Sequence, residues 1–222
     1  MSDAHSVLAH HFDNLEQQRE AGTLGMWIFL VTEVLFFGGL FTAYTIYRML
    51  YPVAFADASL HLDTTLGAIN TAVLICSSLT MALAVYGSQV GNRMLLILCL
   101  LLTIVLGAAF LGIKFTEYAH KFAEHLVPGS AFSYGKPELR QQAELFFSLY
   151  FAMTGLHALH MVIGVGILAV LVFQAWRGHF SPVYYAPVEL TGLYWHFVDI
   201  VWIFLFPLLY LIGLHLGGAS HV

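Results

Sequence analysis

Five apolar runs decide what this chain can fold into: residues 24–48, 66–88, 93–117, 145–175 and 191–214. Crossing about 30 Å of hydrocarbon takes about 20 apolar residues, and each run is long enough. Hydrocarbon offers no partner to a free backbone N–H or C=O, so each crossing must be a helix. Composition agrees: 59% of the 222 residues are hydrophobic and only 9% charged, with mean hydropathy +0.80. A water-facing domain carries about 25% charged residues, so this chain cannot clothe a soluble surface. The sequence predicts an all-α polytopic membrane protein with five transmembrane helices. A net charge of −5 on few sites argues against a nucleic-acid partner.

The segments between the runs differ in kind. Residues 1–24 are polar, with three histidines and four acids, and read as a partly disordered surface segment. They show no basic stretch followed by a short apolar one, so no cleaved signal peptide is expected. Residues 25–216 form the membrane domain and 217–222 a short tail. Segment 49–65 reads as a moderate connection. QVGN, 89–92, is a tight turn that makes an antiparallel hairpin of its two flanking helices. Segment 118–144 carries Pro128-Gly129 and Gly135-Lys136-Pro137 as breakers, and 176–190 carries Pro182 and Pro187. Trp27, Trp176 and Trp195 fall near run ends, where indole rings settle at the interface. With the N-terminus inside, Arg19, Arg93 and Arg177 lie inside, against Arg48, Lys121, Lys136 and Arg140 outside. That count leans against the orientation and does not set it. Cys76 and Cys99 lie in apolar runs without metal spacing and read as small buried hydrophobes.

The informative residues are the ionisable ones inside the runs. Glu33 stands eight residues past Gly25, about 12 Å along a helix. A charge at that depth costs about 3 kcal/mol on insertion scales. Glu33 must therefore be hydrogen-bonded, face protein or carry a proton. It reads either as a proton-responsive carboxyl or as a neutral group that pins helix packing. His157 and His160 are three apart in the fourth run, as are His196 and Asp199 in the fifth, so each pair shares a helix face. Imidazoles and a carboxylate could ligate zinc or iron. The absence of nearby cysteine and the shortage of carboxylates favour an interhelical hydrogen-bond network instead, so no metal site is assigned. Lys114 and Glu117, near the end of the third run, read as a boundary ion pair or snorkelling groups. Gly107, Gly112, Gly155, Gly164 and Gly166 let backbones approach, and Pro207 interrupts the last run. Arg177, His179 and Glu189 lie near one membrane boundary, as lipid head-group contacts or interfacial anchors. No nucleophile–base pattern, phosphate loop or dinucleotide fingerprint appears, so no catalytic residue is assigned.

Four motifs then carry a resemblance: YWHFVDIVWIF (Tyr194–Phe204), TGLHALHMVIG (Thr154–Gly164), TEVLFF (Thr32–Phe37) and GIKFTEY (Gly112–Tyr118). In this order and spacing the chain resembles subunit III of the haem–copper terminal oxidases in its five-helix bacterial form, from about Gly25 to the end of the last helix. Lys114 departs from the family pattern, which has Gln or another polar residue there. The resemblance implies a chain without haem or copper, those groups belonging to subunits I and II. It implies direct packing against subunit I as two helix groups around a V-shaped cleft holding phospholipid. It also implies a supporting role in proton uptake by subunit I and in the durability of the oxygen-reducing centre. Glu33, Arg177, His179 and Glu189 are then cleft or lipid-contact candidates. The expected location is the bacterial inner membrane, with the N-terminus cytoplasmic, and the expected electron donor is cytochrome c.

Other readings stay open on sequence grounds. The donor could be a quinol, or the chain could be an accessory protein of nitric oxide reductase. More remote are an independent metal-dependent membrane enzyme built on His157, His160, His196 and Asp199, and a small transporter using Glu33.

Overall fold

A computed structural model describes residues 12–213. Five helices are long and apolar enough to cross a membrane. They are α1 (Leu15–Leu50), α3 (Thr64–Gln89), α4 (Arg93–Ala123), α5 (Arg140–Trp176) and α6 (Ala186–Tyr210). A short helix, α2 (Pro52–Ser59), lies between α1 and α3, and a 3-10 turn, Pro137–Leu139, leads into α5.

Helix ends follow local chemistry more than hydropathy. α1 begins at Leu15 because Asn14 accepts from the Gln17 N–H at 2.8 Å, and the polar residues that follow are good helix formers. At 36 residues it is roughly 54 Å long, so its polar first turns project beyond the hydrocarbon. The stretch 15–24, expected to be partly disordered, is thus helical; residues 1–11 and the 217–222 tail lie outside the described residues. α6 starts at Ala186 because Pro187 occupies its first turn, where a missing N–H costs nothing. Pro52 starts α2 in the same way, so a proline expected to mark a connection opens a helix. Asp63 caps α3 through the Thr65 and Leu66 N–H groups.

The predicted hairpin forms at residues 90–92. Gly91 takes φ +71°, and Asn92 caps α4 through the Leu95 N–H at 3.1 Å. The hairpin packs into a four-helix ring: α3 on α4, α4 on α5, α5 on α6, and α6 on α3. α1 lies outside the ring against α6 and α5, and α2 packs on α5. Tyr44 ties α1 to the ring: its hydroxyl donates at 2.8 Å to the Leu208 carbonyl, one of the α6 end carbonyls that lack a helical partner.

Trp195 corrects an expectation. It is no interfacial anchor but fully buried mid-helix, with its indole N–H on Ser77 Oγ at 3.0 Å. Gly107 and Gly164 make room for it: a Cβ there would lie 2.9 Å and 2.8 Å from its ring. Trp27 and Trp176 are exposed, as an interfacial role requires.

Candidate functional site

The polar residues of α5 and α6 do not form the single network that their spacing suggested. Residues three apart on a helix are still separated by about 60° around its axis, enough to address different neighbours. His160 faces α1. Its Nε2 lies 3.2 Å from Glu33 Oε2 and its Nδ1 lies 2.9 Å from the Leu156 carbonyl. A carbonyl only accepts, so Nδ1 carries the proton. The Nε2–Glu33 contact then needs one further proton, either on the imidazole or on the carboxyl. The pair is therefore neutral overall in both forms. It is not sealed: the two side chains are 12% and 18% exposed, and the Phe37 ring packs beside the imidazole at 5.5 Å.

His157 faces the ring interior. It is buried between Phe110 at 5.4 Å and Trp202 at 5.3 Å, and neither ring nitrogen has a hydrogen-bond partner. On α6, His196 Nδ1 meets Ser78 Oγ of α3 at 2.7 Å. Asp199 is buried one turn on, with both carboxyl oxygens lacking a hydrogen-bond partner. Ser78 neighbours that carboxyl as well, without reaching hydrogen-bond geometry. Among the described residues, no three His, Cys, Asp or Glu side chains converge on a point where a metal could sit. The four-residue metal cluster considered from sequence is thus not brought together.

The densest polar cluster is one the sequence reading placed at the membrane boundary. Lys114 and Glu117 are each 3% exposed, with Nζ and Oε2 3.0 Å apart. Tyr150 of α5 and Tyr210 of α6 donate to Glu117 Oε1 at 2.8 Å and 2.6 Å. The ammonium reaches both phenol oxygens, at 3.1 Å and 2.8 Å, and lies over four aromatic rings at 5.0–5.5 Å. Every charged atom is thus answered, and the cluster joins α4, α5 and α6. A signal for it existed. Leu96, Leu100, Thr103, Gly107, Phe110, Lys114, Glu117 and Lys121 alternate in steps of four and three, one continuous buried stripe of α4.

The candidate lipid contacts do not gather into one site. Arg177 is exposed and stacks over Phe173 at 4.5 Å, and His179 is exposed beside it. Glu189 pairs instead with Arg19 of α1 at 3.1 Å, and that guanidinium also covers the Tyr185 ring. Arg93 bonds the Trp176 carbonyl at the same end. At the opposite end, Asp57 of α2 accepts from Lys136 at 2.5 Å and Tyr134 at 2.8 Å, which clamps the 124–139 connection onto α2.

Five helices long and apolar enough to cross a membrane, packed with their polar groups mostly turned inward, define a multi-pass helical membrane protein. The chain belongs to the cytochrome c oxidase subunit III family, whose sequence profile matches residues 6–214. It is 29% identical over 214 residues to the cytochrome bo(3) ubiquinol oxidase subunit 3 of Pseudomonas aeruginosa, covering 96% of this chain and 95% of that one. It is 31% identical over 207 residues to the quinol oxidase subunit 3 of Bacillus subtilis (92% and 94%). It is 35% identical over 189 residues to the cytochrome c oxidase subunit 3 of a Synechocystis species (85% and 74%). The chain is thus subunit III of a haem–copper oxidase.

Proposed function

We propose that the chain is a non-catalytic subunit that sustains proton uptake and durability in the catalytic subunit I, which it contacts directly beside subunit II. Haem and copper are held by those partners, and phospholipid binds against this chain in the bacterial inner membrane, with the N-terminus cytoplasmic. The observation that carries this reading is the Glu33–His160 pair. It is a carboxyl and an imidazole 3.2 Å apart, in contact through one proton and partly open on the outer side of the ring. Within such a pair the proton can pass from one partner to the other without a change in the number of hydrogen bonds.

Glu33→Gln tests it. The amide N–H donates to Nε2 and keeps the contact, but the pair loses its exchangeable proton. The variant oxidase should start turnover near the parent rate and lose oxygen consumption several-fold faster over many turnovers. Equal decay in parent and variant would make Glu33 a packing carboxyl only. Cytochrome c is the electron donor in this reading, supported by the Synechocystis relative. Quinol is the second reading, favoured by relatives named as quinol oxidase subunits that match along nearly their whole length.

A further inference from the structure

An apolar groove of about 430 Å³ runs between α3 and α6 on the outer face of the ring. Ile75, Leu79 and Ile200 stand exposed along it, whereas Ser78, His196 and Asp199 form its polar part. Asp199 is 3% exposed and both its oxygens lack a hydrogen-bond partner. Ionised or protonated, a carboxyl keeps acceptor lone pairs to fill. Ser78 has one proton and already holds His196 Nδ1 at 2.7 Å, so at best it serves one of them. Among the described residues no other side chain supplies the missing donor, which points to a source beyond them. It must also come through the membrane, because Asp199 lies about 16 Å along α6 from its nearer end, and Ser78 is near the middle of α3. Lipid tails carry no donor and head groups stay at the boundary. Small side chains at the groove, Ser78 and Ala82, admit a third helix at close range.

We propose that this groove seats a transmembrane helix of a neighbouring oxidase subunit, which supplies an N–H or O–H donor to Asp199. The proposal rests on the reading of this chain as an oxidase subunit. Its test uses the intact complex from native membranes, with the photoreactive residue p-benzoylphenylalanine at Ile200, irradiation, and mass spectrometry of the adducts. The expected adduct joins this chain to another oxidase subunit. Asp199→Ala should lower its yield at least fivefold, and Asp199→Asn less, because the amide oxygen still accepts. Ala82→Trp is a second variant whose substituted side chain is exposed, so the fold should be kept. It obstructs the groove and should abolish the adduct. Adducts to lipid or quinone alone, or a subunit adduct unchanged in either Asp199→Ala or Ala82→Trp, would overturn the proposal. Recovery of the chain with no oxidase subunit at all would instead overturn the reading beneath it.

Discussion

Glu117→Ala should destabilise the protein by about 3–5 kcal/mol, the cost of breaking a buried ion pair from one side. The parent geometry explains the size. Lys114 and Glu117 are both 3% exposed, and Glu117 takes two phenol hydrogen bonds besides the ammonium. Its removal strands a positive charge away from water and leaves two hydroxyl protons without their acceptor. Removing both charges in Lys114→Met/Glu117→Leu should cost less. At least one of the Tyr150 and Tyr210 hydroxyl protons, which both lose Glu117 as acceptor, then stays unpaired, a loss of about 1–3 kcal/mol. Adding Tyr150→Phe and Tyr210→Phe removes that proton as well and should return stability close to the parent. The assay is unfolding by stepwise addition of sodium dodecyl sulfate to the detergent-solubilised protein, followed by far-ultraviolet circular dichroism. The expected order of damage is single, then double, then quadruple variant. A quadruple variant as unstable as Glu117→Ala would refute the reasoning, because the loss could then not come from stranded charge.

Two further perturbations follow from the packing and the loop clamp. Gly164→Ala should destabilise by about 1–3 kcal/mol in the same assay. Its Cβ would lie 2.8 Å from a Trp195 ring already pressed by Gly107 and held by Ser77, whereas Gly38→Ala meets nothing within 4 Å and should be neutral or stabilising. Burial raises the Asp57 carboxyl, but the bonds from Lys136 and Tyr134 outweigh it and hold it below its ordinary value of 3.8. The stability from this clamp is therefore present above that value and is lost as pH falls through the lowered one. Hydrogen exchange in residues 124–139 should speed up there in the parent, while Asp57→Asn should lack that step.

The crossings were legible because hydrocarbon leaves a long apolar run no alternative to helix. Their ends were not. Residues 15–24 carry capping and helix-forming side chains that hydropathy ignores, and Pro52 and Pro187 act as helix starters in a place where a breaker was expected. Trp195 lies near the start of an apolar run, but only the opposed Gly107 and Gly164 show that its ring points into the bundle. His157 and His160 share one helix face in projection, and nothing in their spacing tells which meets Glu33. That choice belongs to the position of α1. Lys114 and Glu117 were misplaced because charge was taken as the sign of a boundary, although the four-and-three stripe of α4 runs straight through them to Lys121.

This chain is subunit III of a haem–copper oxidase, and the proposal to be tested is that the oxidase draws its electrons from cytochrome c. The most direct measurement is affinity capture of the tagged chain from native membranes in mild detergent. The captured material is then examined by its reduced-minus-oxidised spectrum and by oxygen uptake with reduced cytochrome c or a quinol. The expected result is a haem-containing complex with this chain in stoichiometric amount, oxygen reduction driven by cytochrome c, and loss of the haem signal from the chain once the other subunits are stripped away. Oxygen uptake with quinol but not cytochrome c would contradict the donor assignment. Capture of the chain without any haem protein would contradict its place in the oxidase altogether.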